Sequence, residues 1–219
     1  MSGRVYLETK RIDKASQTIP LDALLSVKGK CHDFVSRGAL KLAAALDHFS
    51  IVPKNQIALD VGASTGGFTD LLLHRGAKKV FAVDVGTNQL AWELRNDPRV
   101  VVLEKTNARD LTTMIVPEAP NIITCDVSFT SLISVLPAAL LLAAPEAWLV
   151  ALIKPQFEVE KYQVGAGGII RDPILHRAAC DKVETWLRAQ KNWKIVGLIP
   201  SPITGQEGNQ EFLIVSKRC

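Results

Sequence analysis

The stretch IALDVGASTGGFTDLLL, residues 57–73, decides the fold. It runs from an apolar strand through an acid, Asp60, and a glycine-rich bend into an apolar helix, the layout of a nucleotide-binding turn. A dinucleotide fingerprint would read G-x-G-x-x-G, but Gly62-Ala63-Ser64-Thr65-Gly66-Gly67 lacks the second glycine of that spacing. Close backbone approach to a pyrophosphate is then less well provided for. Asp60 is instead expected to accept hydrogen bonds from an ammonium group, or from ordered water beside one, which suits an amino-acid moiety better than a phosphate.

Outward from this turn, strands are expected at 57–60, 79–84, 100–104, 121–126, 147–153, 194–199 and 211–216, and helices at 36–49, 67–75, 87–96, 130–143 and 172–190. Alternation of this kind, with near-continuous apolar strands, predicts an α/β fold with a mostly parallel seven-stranded sheet covered on both faces. The last two strands lie close in sequence and predict an antiparallel hairpin at the sheet edge. In the first helix, capped by Ser36, Leu42, Ala45, Leu46 and Phe49 keep helical spacing.

The second strand ends at Asp84 in VFAVDVG, positioned to accept both hydroxyls of a ribose, and Asp110 in TNARDL follows the third strand, where it would meet an adenine amino group. Three acids at successive strand ends, without a basic phosphate clamp, favour S-adenosylmethionine over NAD and hence a Rossmann-like class I methyltransferase. The fourth strand ends at Asp126, beside the expected methyl group at the edge where open α/β sheets bind ligands. The fifth ends at Lys154, whose ammonium follows five apolar residues and so lies against a desolvating wall. The run Asp126-Val127-Ser128-Phe129 contains no proline and lacks the N/D-P-P-Y/F pattern common in amino-methyltransferases, so base N-methylation loses ground.

The 219 residues, 47% hydrophobic, suit one α/β domain plus a small appendage. Lys and Arg exceed Asp and Glu by 26 to 22, a net +4 that permits a polyanionic partner without requiring one. Cys31, Cys125, Cys180 and Cys219 show no C-x-x-C pair, so no zinc site or disulfide framework is expected, and no metal. Residues 131–153 are long and almost uncharged, but Pro137, Pro145 and Glu146 divide them into a buried helix and a central strand. With no basic n-region and apolar h-region at the start, the expected setting is cytoplasmic, without a membrane partner.

Residues 1–30 differ, with short apolar runs between basic turns, and read as a small β element too short to hold a core alone. Lys28, Lys30, Arg37 and Lys41 form a basic strip for phosphates. Between Lys154 and the last helix, Gly165, Gly167 and Gly168 make a loosely held lid, to which Lys161, Tyr162 and Arg171 give charge and a stacking ring.

The motifs VSRGALKL, LDVGASTGGFTD, VDVGTNQLAWELRNDPRV, EKTNARDL, CDVSFTSLISVLP, IKPQFEV and GNQEF together resemble the TlyA proteins, named both for haemolysis and for ribosomal RNA 2′-O-methylation in the FtsJ-like group. The resemblance covers nearly the whole chain. It implies a catalytic tetrad of Lys41, Asp126, Lys154 and Glu211. It also implies a cofactor site drawn from Asp60, Gly62, Ser64, Thr65, Gly66, Gly67, Phe68, Asp84, Val85, Asn107, Ala108, Asp110 and Asp126. Residues 1–30 further resemble the last strands of an S4-type RNA-binding module, whose helical first half would precede Met1.

In this tetrad Lys154, desolvated and near the like charge of Lys41, would have a lowered pKa and take the 2′-hydroxyl proton. Asp126 would hold it, while Glu211 and Lys41 fix the geometry. The expected partner is ribosomal RNA or a ribosomal subunit, and the expected state a monomer or weak dimer. The competing readings are a non-catalytic RNA-binding protein and a membrane-active haemolysin; no signal, cationic amphipathic helix or intact span speaks for the latter.

Overall fold

The computed structural model describes residues 5–12, 17–20, 23–27, 33–205 and 207–219. Chain contacts divide it into two units, Met1–Asp33 and Phe34–Cys219. In the first, β1 (Val5–Leu7), β2 (Lys10–Arg11) and β3 (Leu25–Val27) form an antiparallel sheet ordered β2-β1-β3. Tyr6 stands opposite Arg11 on one side and Ser26 on the other. Lys28 and Lys30, expected to contact RNA, lie outside the described residues, as does Cys31.

The second unit is built on β4 (Ile57–Val61), β5 (Lys79–Val83), β6 (Val100–Leu103), β7 (Ile122–Cys125), β8 (Trp148–Ile153), β9 (Trp193–Pro200) and β10 (Phe212–Arg218), in the order β6-β5-β4-β7-β8-β10-β9. β4 through β8 pair in parallel, and β10 runs antiparallel to both neighbours, between β8 and the edge strand β9. Alternate strand residues feed two separate cores. Leu59, Val61, Ile123 and Cys125 join the core that holds α4 (Leu132–Leu142) and α6 (Pro173–Arg188). Ala58, Val80, Ile122 and Val150 join the core that holds α1 (Gly38–His48) and α2 (Gly67–His74). Both faces are dry, which is why the strands read as continuous apolar runs. Strand order reverses at β4, so the ends of β4 and β7 open the crevice in which such sheets bind ligands.

Each expected strand forms within two residues of its predicted bounds. The helix expected at 87–96 shrinks to α3 (Trp92–Arg95). Asn88 has φ 56, and the Ala91 N–H donates to the Thr65 carbonyl at 3.1 Å, so this segment braces the glycine turn before it coils. At α1 the N-cap position is Arg37; Ser36 instead accepts through Oγ from the Gly38 N–H at 3.2 Å, one residue ahead of its expected place in the cap. A short helix not foreseen, α5 (Pro155–Glu158), begins directly after Lys154. Among the described residues no helix is long and apolar enough to cross a membrane.

Candidate active site

Two cavities lie side by side at the carboxyl ends of the parallel strands. The first, of about 610 Å³, is a groove between the glycine turn and the ends of β5 and β6. Asp84 follows β5 and is fixed there by two backbone donors: the Ser64 N–H reaches Oδ2 at 2.8 Å and the Gly86 N–H reaches Oδ1 at 2.7 Å. Asn107 accepts from the Arg109 N–H at 3.1 Å, which caps the turn at Ala108–Asp110 and sets Asn107 and Ala108 into the groove wall. Gly62 has φ 81, and a Cβ there would lie 2.5 Å from the Asp126 carbonyl oxygen. Only glycine lets the ends of β4 and β7 approach this closely. A groove with an anchored carboxylate, small residues and backbone amides fits a nucleoside carrying an amino-acid tail. Val85 also lines it, and so does Arg109, which donates to Thr130 Oγ1 at 3.2 Å.

The second cavity, of about 570 Å³, is lined by Lys41, Asp126, Lys154 and Glu211 together. Lys41 reaches it from α1 and meets Glu211, just before β10, at 2.5 Å; both side chains are buried. Lys154 sits at the end of β8 and meets Asp126, at the end of β7, at 2.6 Å. Its ammonium also donates to Ser128 Oγ at 2.9 Å. The four expected residues thus form two ion pairs, Lys154 with Asp126 and Lys41 with Glu211, and Ser128 adds a third group on the Lys154 ammonium.

The two cavities share Gly62, Ser64, Asp126, Ser128 and Phe129. Phe129 stands at this junction 91% exposed, with φ 64, and its ring lies 5.3 Å from that of Phe157. A bulky side chain held at positive φ and in water marks a position kept for contact rather than for stability. Ser128, Phe129 and Gln156 line the lysine cavity and are not among the expected site residues; Ser128 and Phe129 stand within three residues of Asp126, inside a motif already singled out.

Several expected cofactor contacts are placed elsewhere. Asp60 has no exposed surface and lines neither cavity. Its carboxylate accepts from Thr69 Oγ1 at 2.7 Å and from Thr124 Oγ1 at 2.9 Å, so it ties α2 to β7 instead of meeting a ligand ammonium directly. Burial without a cation raises its pKa to about 6, with Asp126 adding to the rise and the two hydroxyls opposing it. Asp110 is exposed and outside both linings, because the turn after Asn107 carries it past the groove. Gly66 is the N-cap of α2 and lines neither cavity, while Thr65, Gly67 and Phe68 face the lysine cavity and not the groove.

Of the basic residues expected at RNA, Arg37 and Lys41 line the lysine cavity, whereas Lys161 and Arg171 are exposed outside it. The segment 159–172 is less loose than its glycines suggest. Val164 and Gly168 face the cavity, and the buried Asn209 accepts from the Ile170 N–H and donates to the Gly168 carbonyl, each at 2.9 Å. Among the described residues no group of three His, Cys, Asp or Glu side chains is arranged to hold a metal ion.

This geometry agrees with what similar proteins are. The chain is 50% identical over 215 residues to the 16S/23S rRNA (cytidine-2′-O)-methyltransferase TlyA of Mycobacterium tuberculosis, covering 97% of this chain and 80% of that one. It is 44% identical over 219 residues to Hemolysin A of Brachyspira hyodysenteriae, covering 97% and 88%. A solved Streptococcus thermophilus structure that carries a hemolysin name superposes with a TM-score of 0.85 at 41% identity, over 100% of this chain and 80% of that one. A SAM-dependent methyltransferase from Aquifex aeolicus, 18% identical, shares the fold at a TM-score of 0.57 over 84% and 93%. The FtsJ-like methyltransferase family model matches residues 34–218, the whole sheet unit with both cavities, and the chain belongs to that family.

Proposed function

We propose that this protein is an S-adenosylmethionine-dependent methyltransferase that modifies a ribose 2′-hydroxyl of ribosomal RNA, with Lys41, Asp126, Lys154 and Glu211 as its catalytic set. One observation carries the reading: Asp126 belongs to both cavities, so a nucleoside-sized groove and a lysine-lined cavity meet at the residue that holds Lys154. Relatives named for rRNA cytidine-2′-O-methylation support the substrate class.

S-adenosylmethionine, when bound in the groove, supplies an electrophilic methyl group on a sulfonium. Asp84 would accept hydrogen bonds from its ribose, and the Gly62 turn would pass beneath its amino-acid tail. On the other side of Asp126, the substrate hydroxyl would lie within reach of Lys154, which would take its proton as the oxygen bonds to the methyl carbon and the carbon–sulfur bond breaks to leave a neutral thioether. Asp126 and Ser128 would aim that lysine, and the buried Lys41–Glu211 pair lines the same cavity. A base swung out of the RNA would stack on the exposed ring of Phe129. Arg37 would hold a neighbouring phosphate.

The small sheet β2-β1-β3 is read as the closing strands of an S4-like RNA-binding module, residues 1–30, followed in sequence by a methyltransferase domain of residues 31–219. A ribosomal substrate also supports action in the cytoplasm.

The test is transfer of a labelled methyl group from S-adenosylmethionine to ribosomal subunits lacking the modification, with the labelled nucleotide mapped. Label at a ribose 2′-oxygen that falls at least a hundredfold with Lys154→Ala is the expected result, in line with the usual ~10²–10⁴-fold share of a general base. Label on a base, or undiminished label from Lys154→Ala, would overturn the assignment.

A further inference from the structure

We infer that Asn209 is a positioning residue of this reaction, coupling the Lys41–Glu211 pair to the loop that walls the substrate side of the cavity. The inference rests on the function proposed above and adds a residue that the catalytic set does not contain.

Asn209 is 1% exposed, yet it belongs to the lining of the lysine cavity. Its side-chain amide spends both functions on one short stretch of the 159–172 segment. Oδ1 accepts from the Ile170 N–H and Nδ2 donates to the Gly168 carbonyl, both at 2.9 Å. Its own carbonyl accepts from the Gly205 N–H at 2.9 Å, closing the turn that precedes β10. That turn is pressed on the catalytic carboxylate: a Cβ at Gly205 would lie 2.8 Å from Glu211 Oε1, while Glu211 Oε2 holds Lys41 at 2.5 Å. A single residue, Gln210, therefore separates the clamp on the loop from the acid that fixes Lys41.

A second contact holds the same loop point independently. His176 on α6 bonds through Nε2 with the Ile170 carbonyl at 3.1 Å, and its ring packs edge-on against Phe212, the residue after Glu211. The Ile170 peptide is thus gripped on its N–H side by Asn209 and on its carbonyl side by His176. Only Asn209 also braces the turn against Glu211. Asn209 joins the loop to the turn, the turn abuts the acid through Gly205, and none of the three enters the cofactor groove.

Removing the amide should therefore affect substrate handling and the chemical step while sparing the cofactor. The experiment measures kcat and KM for ribosomal subunits, affinity for S-adenosylhomocysteine by calorimetry, and thermal unfolding, for the full chain and for Asn209→Ala, Asn209→Asp and His176→Ala. For Asn209→Ala the expectation is a fall in kcat of at least tenfold and a rise in KM, with S-adenosylhomocysteine affinity within twofold of the unaltered protein. Asn209→Asp keeps the acceptor for Ile170 but sets a carboxylate against the Gly168 carbonyl, and should lose activity similarly. His176→Ala removes the carbonyl-side grip on the loop and a ring contact with Phe212 but leaves the Asn209–Gly205 hydrogen bond in place, so it should raise KM with kcat held within about threefold. Equal losses in kcat from Asn209→Ala and His176→Ala would overturn the inference, as would cofactor affinity falling in step with kcat, or unchanged kinetics in both Asn209 variants. Absence of ribose methylation by the unaltered chain would instead sink the proposed function itself.

Discussion

Lys41 and Glu211, 170 positions apart in sequence, meet at 2.5 Å with side chains only 11% and 3% exposed. A buried pair of this kind gains little over apolar residues of the same shape, but breaking it strands a charge without water, at a cost of about 3–5 kcal/mol. Lys41→Met and Glu211→Leu should each lower stability on that scale. The double variant should be more stable than either single one, because no unpaired charge remains. Urea unfolding of the four proteins checks this; additive losses in the double variant would show that the two side chains are not coupled in the folded state.

Gly62 sets how closely the ends of β4 and β7 approach. Gly62→Ala would put a methyl group 2.5 Å from the Asp126 carbonyl oxygen, at a φ of 81 that alanine tolerates poorly. The backbone of β7 must then retreat and carry Asp126 with it. Affinity for S-adenosylhomocysteine should fall more than tenfold and methyl transfer further still, because Asp126 also holds Lys154. Calorimetry and single-turnover transfer give the two numbers. A variant that bound and reacted normally would remove Gly62 from the account of the site.

Much of this was legible in the chain. The strands declared themselves as continuous apolar runs, and the acid or lysine closing each run marked the ligand edge, so Asp84, Asp126 and Lys154 could be placed on the crevice in advance. Where the reading went astray, the missing information was tertiary. Because both sheet faces are dry, alternation could not show which way Asp60 points; only α2 packing with Thr69 over that face turns it into an interior brace. That Glu211 and Lys41 share one site is an expectation of the resemblance alone, because their meeting depends on β10 entering between β8 and β9, a pairing that local pattern does not encode. Asn88 at positive φ and the extended Ala91 held the expected helix at 87–96 to four residues, for the sake of the hydrogen bond to Thr65.

Asp60 also makes a pH-dependent contribution that can be signed. Its folded-state pKa is raised from the ordinary 3.8 to about 6, chiefly by full burial. Between those two values the folded protein holds a proton that the unfolded chain releases, so folding is favoured by lowering the pH through this range. Above about pH 6 the ionised carboxylate is buried at a cost on the order of 3 kcal/mol, by the conversion of about 1.4 kcal/mol per pH unit. Asparagine at this position can accept from one threonine hydroxyl and donate to the other, so Asp60→Asn keeps the tie between α2 and β7 without the charge. Urea unfolding from pH 5 to pH 8 should show the variant at least as stable as the unaltered protein at pH 8, with its advantage shrinking toward pH 5. A variant less stable at every pH, with an unchanged pH slope, would mean that the carboxylate is charged throughout and that its two threonine bonds outweigh its burial.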